Sequence, residues 1–350
     1  MMSRQKPLRI VSIGGGTGLS ALLQGLKKYA RPSEFVDGGP AEPMIEVTAV
    51  VTVTDDGGSS GRLRREFEVL PPGDIRNCMV ALSEDETLLS RLFQYRFQDG
   101  AGLKGHSFGN LFLTALTRVT GDFHEAVKVS SEVLRIAGSI YPATAKNVVL
   151  EATLENGKKV VGETKITRSR SRISRIRLRP ARCLPLPETL EAIAAADLIT
   201  LGPGSLFTSV IPNLLVKGIP DAIRKSEAIK AYFVNLMWQP GETMGFLASD
   251  HVRAIDSHAR PRLLDYAIVN VASVRPYLRR KYLSQQVRPV EVDLEALNGL
   301  GVEVVAGHLL HESTTVRHDP AAVAAVALRL ASKGRQRRLN DTRKAIWKKT

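Results

Sequence analysis

A glycine-rich loop between an apolar run and an amphipathic segment is the feature that most constrains the fold. Residues 8–13 (LRIVSI) are typical of a buried strand, and GGGTG follows at 14–18. Leucines then recur at helical spacing, at positions 19, 22, 23 and 26. The loop matches the G-x-G-x-x-G/A spacing, in which glycines let backbone N–H groups approach a phosphate at a helix N-terminus. We therefore predict a phosphate contact from Gly14, Gly15, Gly16, Thr17 and Gly18; a tight turn without a ligand is the alternative.

A second apolar run, residues 45–53, completes a strand–helix–strand unit after a surface loop predicted for residues 30–43. Strand-like and helix-like segments then alternate along most of the chain. This pattern predicts an α/β fold, Rossmann-like and doubly wound, with a mostly parallel sheet. We predict one domain over residues 1–330, and the Asn156-Gly157 pair between strand-like runs predicts a small antiparallel β insertion at about residues 148–180.

The net charge of +14 is concentrated in two segments. Residues 165–182 carry eight basic side chains and no acid, and residues 333–350 carry eight and one acid, so the rest of the chain is nearly neutral. Both segments are poor in aromatic residues and lack a recognised nucleic-acid-binding motif. We expect solvated surface rather than specific binding of nucleic acid, and a basic, disordered tail over residues 331–350.

The remaining composition points to the cytoplasm. Cys78 and Cys183 are the only cysteines, far apart and outside any metal-ligand spacing. No apolar stretch is long enough for a membrane span, and the first residues lack the apolar core of a signal peptide. We therefore expect a cytoplasmic protein with no membrane span.

The segment VTVTDDGGSSGRL breaks a β-branched run with two aspartates. Ligands of open α/β sheets bind at the carboxyl ends of the strands, where an acidic residue often holds ribose hydroxyls. We predict that Asp55 and Asp56 meet ribose or a metal ion, with Ser59, Ser60 and Arg62 nearby. A capped turn explains one aspartate and one glycine, but not the whole run.

Three further polar loops carry glycine and groups able to bind a ligand. Each could be turn chemistry alone, but together they favour a shared crevice. The candidates are Asp74 and Asn77 in LPPGDIRN, His106, Ser107 and Asn110 in GHSFGN, and Gly204 and Ser205 in GPGSLFTSVIPN.

These long motifs resemble the gluconeogenesis factor family of bacteria, the YvcK-type proteins, a branch of the 2-phospho-L-lactate transferase superfamily. The resemblance covers about residues 8–330. It implies a cytoplasmic protein with a Rossmann-like fold, linked to growth on gluconeogenic carbon sources and to cell-shape and cell-wall control. It also implies a bound nucleotide sugar of the UDP-N-acetylglucosamine kind, or NAD in the same crevice. Protein partners in cell-wall synthesis and a homo-oligomer are compatible with it.

The resemblance adds two residues to the candidate site. Tyr282, in RRKYLSQQVRPV, would stack on a base, and Arg317, in TVRHDPAAV, would clamp a diphosphate. The alternatives are a Tyr282 that packs a helix and a solvated Arg317.

The function predicted is that of a regulatory protein that binds a nucleotide sugar, with no catalytic residue assigned. A transferase resembling 2-phospho-L-lactate transferase is the second reading, in which Asp55 and Asp56 hold Mg²⁺. An NAD-dependent oxidoreductase is the third, and His106 is the one obvious proton donor for it.

Overall fold

The computed structural model describes residues 6–30, 44–83, 88–169, 171–259 and 262–347, with the backbone alone for 341–347. The loop predicted for residues 30–43 lies, after its first residue, outside the described residues. The strands are β1 Leu8–Gly14, β2 Ile45–Val51, β3 Ser139–Pro142, β4 Val149–Leu154, β5 Lys159–Val161, β6 Ile173–Arg179, β7 Leu198–Leu201, β8 Ile229–Phe233, β9 Tyr266–Asn270, β10 Glu303–Gly307, β11 Leu310–Glu312 and β12 Val316–His318.

Helices connect the strands, and one of them continues a single π-helical turn, Leu206–Val210. The α-helices are α1 Gly16–Ala30, α2 Gly58–Phe67, α3 Gly73–Leu82, α4 Leu88–Gln94, α5 Phe108–Thr120, α6 Phe123–Val133, α7 Glu163–Thr167, α8 Pro187–Ala195, α9 Ile211–Leu214, α10 Ile219–Lys225, α11 Ala248–Ala259, α12 Pro276–Leu283, α13 Leu294–Gly299 and α14 Pro320–Trp347.

Seven parallel strands form the central sheet, in the order β10-β9-β8-β7-β1-β2-β3. Strands β1 and β7 lie side by side although the chain between them forms β2 to β6, so the strand order reverses there. In doubly wound folds this switch point opens a crevice at the carboxyl ends of the strands. The predicted Rossmann-like fold is confirmed.

The predicted antiparallel insertion is also present, as a three-stranded sheet in the order β5-β4-β6. Gly157 has φ +78° in the tight turn between β4 and β5, where a glycine is favoured. The basic segment at 165–182 includes helix α7 and strand β6, and Arg179 pairs with the buried Glu151 of β4. Part of the charge of this segment, at Lys165, Arg175, Arg177 and Arg179, therefore lies on regular structure.

The expectation of a disordered tail from residue 331 is wrong for residues 331–347, because α14 continues to Trp347. Arg335 and Arg338 reach the fully buried side chain of Asp197 at 2.6 and 2.5 Å. The backbone approaches so closely that a Cβ on Gly334 would collide with the Asp197 carbonyl. The basic residues at the start of this segment thus balance a buried carboxylate.

The core follows from the apolar periodicity of the elements. Strands β1 and β7 are buried almost throughout, and α1 buries its predicted leucines in the core, where the helix packs against α3, α14, β2 and β1. Asp122 caps the start of α6, accepting a hydrogen bond from the Glu125 N–H at 2.9 Å. Among the described residues no single helix is long and apolar enough to cross a membrane; one bent pair, Leu206–Leu214 with Ile219–Lys225, meets that test by length and composition.

Candidate functional site

Two glycine loops meet at the switch point of the sheet. The first follows β1 and the second, residues 202–205, follows the adjacent strand β7. A Cβ on Gly18 would lie 2.7 Å from the Pro203 carbonyl carbon and oxygen, so the two loops touch there. Gly14 ends β1, and its carbonyl accepts a hydrogen bond from the Thr52 N–H at 2.9 Å. The loops that we predicted from sequence are therefore neighbours.

The first loop requires glycine for two different reasons. A Cβ on Gly15 would lie 2.6 Å from Asp74 Oδ2 and 2.7 Å from Thr52 Cγ2, leaving no room for a side chain. Gly16 has φ +64°, and its N–H donates a hydrogen bond to the Asp74 carboxyl. Asp74 therefore supports the loop from behind.

A cavity of about 210 Å³, here the glycine-loop cavity, lies directly over the first loop. Arg317 Nη1 donates to Thr17 Oγ1 at 2.9 Å across its mouth. Arg317 is presented by the β11–β12 hairpin, and Tyr282 Oη accepts from the Val316 N–H at 2.9 Å. The phenol of Tyr282 thus holds the hairpin in place. The cavity is lined by Gly15, Gly16, Thr17, Gly18, Ala21, Gly204, Ser205, Ser209, residues 235–239 and residues 316–318.

A chain of hydrogen bonds ends at Ser205 in this cavity. The Gln239 amide donates to Ser205 Oγ at 2.7 Å and accepts from Asn235 Nδ2 at 2.6 Å. Behind Asn235 lie the buried Tyr232 hydroxyl, at 3.4 Å, and His251 Nδ1, 3.0 Å from that hydroxyl. Because Ser205 Oγ accepts from Gln239, its own proton is free to point at a ligand oxygen.

A second cavity, of about 400 Å³, continues from the first through Asn235 and Leu236. It lies at the carboxyl ends of β8 and β9, and most of its lining residues are apolar, with Asn235, Asn270, Ser273 and Arg279 as the polar ones; we call it the apolar cavity. Trp238 lies at the edge of the glycine-loop cavity, where its indole N–H donates to the Phe246 carbonyl at 3.0 Å. An aromatic face beside an apolar pocket suits a nucleobase or a sugar ring. The apolar cavity is lined by residues 234–236, 269–274, Arg279, Pro289, Val290 and Val292.

Carboxylates gather on the other side of the first loop. Burial raises the pKa of Asp74 to about 7, and the neighbouring Asp55 carboxylate adds to the effect. Burial also raises the pKa of Glu163 well above its usual range, followed by repulsion from Asp74 and Asp55. Glu242 has its pKa raised to about 7 by burial, which hydrogen bonds from Thr208 and Phe207 oppose. This side of the crevice therefore contains carboxyl groups that are readily protonated.

The two aspartates of DDGGSSGRL have different partners. Asp55 Oδ1 accepts from the Gly57 N–H at 2.9 Å, and its Oδ2 lies against Gly73. Asp56 Oδ1 accepts from both the N–H and the hydroxyl of Thr164, at 2.8 and 2.6 Å. Asp56 is thus bound to the β insertion, whereas Asp55 lies beside Asp74.

The other predicted polar residues form a buried layer behind these loops. Ser59 Oγ lies 3.0 Å from His106 Nδ1, and Asn110 donates to Ser60 Oγ at 3.4 Å. Ser107 caps α5, accepting from the Asn110 N–H. Burial, then the nearby Arg62, lowers the pKa of His106, so the imidazole favours its neutral form. These side chains shape the crevice from behind.

Arg62 and Asn77 lie further from the first loop. Arg62 donates to the Lys104 carbonyl at 2.7 Å, on the 100–106 segment. Asn77 accepts from Arg76 at 2.6 Å and lines a separate basic groove beside α1. The structure therefore brings seven of the candidates together at one cavity and places the others around it; the seven are Gly15, Gly16, Thr17, Gly18, Gly204, Ser205 and Arg317.

Whether a divalent cation fits can be judged from the carboxylates. No group of three or more His, Cys, Asp or Glu side chains with metal-binding geometry occurs in the part of the chain that the structure describes. Asp55 and Asp74 repel one another, however, and an ion between them would relieve that repulsion. Mg²⁺ takes one or two carboxylates together with substrate phosphates, so these two residues fit it only with a phosphorylated ligand.

Sequence reasoning missed several residues of the site. Glu163 and Glu242 approach it from the insertion and from the segment after β8, and Gln239 and Trp238 come from that same segment. The run KAYFVNLMWQPGE carried a usable signal, because polar and aromatic residues follow a buried strand at the carboxyl edge of the sheet.

Comparison with known proteins agrees with this architecture. The family model described as 2-phospho-L-lactate transferase CofD matches residues 10–310. The gluconeogenesis factor of Bacillus subtilis is 46% identical over 327 residues, covering 93% of this chain and 98% of that protein. The gluconeogenesis factor of Halalkalibacterium halodurans is 44% identical over 324 residues, covering 92% and 96%. A crystal structure of a Bacillus halodurans protein superposes with a TM-score of 0.86 at 44% identity, covering 92% of this chain and 100% of that one.

Proposed function

Because the chain belongs to the 2-phospho-L-lactate transferase CofD family, with gluconeogenesis factors among its relatives, we propose that it is a regulatory protein that binds a nucleotide sugar. The ligand is of the UDP-N-acetylglucosamine kind. By binding it in the cytoplasm, the protein links central carbon metabolism to the control of cell shape and of the cell wall. Protein partners in cell-wall synthesis would bind the form of the protein that holds the ligand.

The observation that carries the proposal is the arrangement over the first glycine loop. Backbone of residues 15–18, the Ser205 hydroxyl and the Arg317 guanidinium converge on one small cavity. Backbone N–H groups at a helix N-terminus and a guanidinium are the donors that suit a diphosphate. A diphosphate there would also leave the two ends of the ligand in adjoining space.

The adjoining apolar cavity suits one end of such a ligand. It is lined by Val234, Leu236, Val269 and Val290 at the ends of β8 and β9. Apolar walls with a few polar groups are typical of pockets for small ligands, and they favour a ring system over a further charge. NAD also has a diphosphate between two ring-bearing ends, so it stays a candidate for the same cavities.

Calorimetric titration of the purified protein with UDP-N-acetylglucosamine, UDP-glucose, NAD and GDP in EDTA tests the proposal. We expect UDP-N-acetylglucosamine to bind, and Arg317→Gln to weaken it by about 1.5–3 kcal/mol, the range for a hydrogen bond to a charged group. Arg118→Gln is the matched control, since Arg118 makes one hydrogen bond to the Phe67 carbonyl on a remote surface. Absence of binding, or equal loss in both variants, would contradict the proposal.

A Mg²⁺-dependent transferase acting on a nucleotide diphospho-compound is the second candidate. The specific observation for it is the Asp55–Asp74 pair beside the first loop. When bound there, Mg²⁺ would neutralise negative charge on a transferring phosphoryl group. Asp55 and Asp74 would hold the ion, while Arg317 would still bind the diphosphate.

Repeating the titration in excess Mg²⁺ and analysing the mixture by mass spectrometry separates the two candidates. The regulator requires binding in EDTA and an unchanged nucleotide sugar after prolonged incubation. Strict dependence of binding on Mg²⁺, or steady conversion of the nucleotide, would favour the transferase. Asp55→Asn should weaken binding of the nucleotide sugar in EDTA by about 1–3 kcal/mol if the carboxylate accepts hydrogen bonds from ribose hydroxyls.

A further inference from the structure

A basic groove with a cavity volume of about 920 Å³ runs beside the glycine-loop cavity. Its walls are α1, α3, the segment around residues 94–96, and the β11–β12 hairpin with the start of α14. Among the residues that the structure describes, five cationic side chains line it, and Asp319 is the one carboxylate. The cations are Lys27, Lys28, Arg76, Arg96 and Arg317.

The arginines of the groove form no ion pairs with the carboxylates that the structure describes. Asp319 caps α14, accepting from the Ala322 N–H at 2.8 Å. Within the described ranges, no carboxylate lies within 4.0 Å of the Arg76, Arg96 or Arg317 guanidinium, although those of Arg275 and Arg179 do have such partners. The guanidiniums of Arg76 and Arg96 repel one another, which costs free energy in the unliganded protein.

Arg76 is fixed in the wall of the groove rather than solvated. Its Nη1 donates to Ser107 Oγ at 2.9 Å, and its Nη2 donates to Asn77 Oδ1 at 2.6 Å. Its Nε is buried and has no hydrogen-bond partner among the described residues. Burial lowers the pKa of Arg76, and the Arg96 cation lowers it further, while the Asp74 and Asp55 carboxylates oppose both effects. An anion between the two guanidiniums would remove this repulsion.

The groove opens into the proposed nucleotide site. Thr17, Ala21, Arg317 and His318 line both cavities, so an anion in the groove would lie next to a ligand on the first loop. Burial lowers the pKa of His318 to about 4, so the shared wall adds no charge from its imidazole near neutral pH.

We propose that the basic groove is a second anion site, which binds a phosphate monoester beside the diphosphate of the nucleotide ligand. Guanidinium and ammonium groups on facing walls suit a dianionic phosphoryl group better than a single carboxylate. The described residues of the groove lining include no Phe, Tyr or Trp on which bases could stack, which favours a small phosphorylated molecule over a single-stranded nucleic acid. The position of this anion next to a diphosphate rests on the proposed function, whereas the binding of an anion in the groove does not.

The phosphoryl group has two sources: the nucleotide ligand itself, or a separate phosphorylated effector. Inorganic phosphate, titrated at constant ionic strength with UDP-N-acetylglucosamine present and absent, probes the separate site. A comparison of NADP with NAD tests for a phosphoryl group that is part of the nucleotide ligand, because the two compounds differ only by one phosphate monoester.

The groove variant is Lys28→Gln with Arg96→Gln, both exposed side chains. The matched control is Arg91→Gln with Lys128→Gln, which removes the same two charges from exposed positions outside the groove lining. We expect the groove variant, and not the control, to weaken phosphate binding, or the preference for NADP over NAD, by at least about tenfold.

The proposal is overturned if wild type shows neither saturable phosphate binding nor a preference for NADP, or if both double variants behave alike. Complete displacement of phosphate by UDP-N-acetylglucosamine, without an NADP preference, would place the anion on the first loop and also overturn it. If UDP-N-acetylglucosamine does not bind at all, only the proposed function is contradicted. The phosphate titration of the two double variants still tests the groove.

Discussion

Replacing Asp74 with asparagine should stabilise the protein near pH 8 and change little near pH 4. The folded protein raises the pKa of Asp74 from 3.8 to about 7, so the native state holds a proton that the unfolded chain has released. Stability therefore falls as the pH rises through this window, and the loss is complete above the folded pKa. Below the unfolded value both states are protonated, and the carboxyl contributes nothing.

The magnitude follows from the size of the shift. About three units at 1.36 kcal/mol each give a penalty of about 4 kcal/mol at high pH, as an upper value. Asparagine keeps an oxygen that can accept from the Gly16 N–H, and it introduces no charge beside Asp55. Between about pH 5 and pH 8, the stability difference between Asp74→Asn and wild type should grow by about 2–3 kcal/mol.

Urea unfolding of both proteins at about pH 5, 6, 7 and 8 measures this difference directly. Asp99→Asn is the control, because it removes one carboxylate from an exposed loop and reports the effect of net charge alone. A stability difference that stays constant across the range would refute the reasoning, since Asp74 would then ionise alike in the folded and unfolded chain. Repeating the series with Mg²⁺ and a nucleotide shows whether an ion between Asp55 and Asp74 removes the penalty.

Two further perturbations separate support of the fold from support of the ligand. Deleting residues 335–350 removes Arg335 and Arg338, the cationic partners of the buried Asp197. The loss should lower the free energy of unfolding by about 3–5 kcal/mol and lower the Tm. At a temperature where the shortened protein is folded, its affinity for the nucleotide sugar should change less than tenfold. An unaltered Tm would show that the pairing is not formed. Gln239→Leu removes the donor to Ser205 and should weaken nucleotide-sugar binding by about tenfold, or 1.4 kcal/mol, in calorimetry; undiminished affinity would remove Ser205 from the ligand contacts.

The sequence was most informative where local patterns determine structure. Strand β1, the glycine loop and α1 followed from an apolar run, glycine spacing and leucine periodicity, and the Asn156-Gly157 turn predicted the hairpin of the insertion. Short edge elements were missed: β3 has four residues, and the β11–β12 hairpin has three in each strand. Such segments are too short for a period to be visible, and their pairing depends on the rest of the sheet.

The pairing of charges in the tail and in the groove could not be predicted for a different reason, which is that the interacting residues are distant in sequence. Arg335 and Arg338 stand in a run that is typical of solvated surface, and only the folded chain brings Asp197 to them. Arg76 and Arg96 likewise line one groove from separate elements. Composition records such charges but not their neighbours, so paired and unpaired cations cannot be told apart before the fold is known.

The β insertion is coupled to the crevice through a carboxylate and a protonation equilibrium. Asp56 accepts two hydrogen bonds from Thr164, and the adjacent Glu163 lies close enough to Asp55 and Asp74 for their charges to raise its pKa. A cation between Asp55 and Asp74 would favour ionised Glu163, whereas an anion on the first loop would favour the protonated form. The charge of Glu163, at the start of α7, therefore depends on groups of the crevice whose charge a ligand would alter.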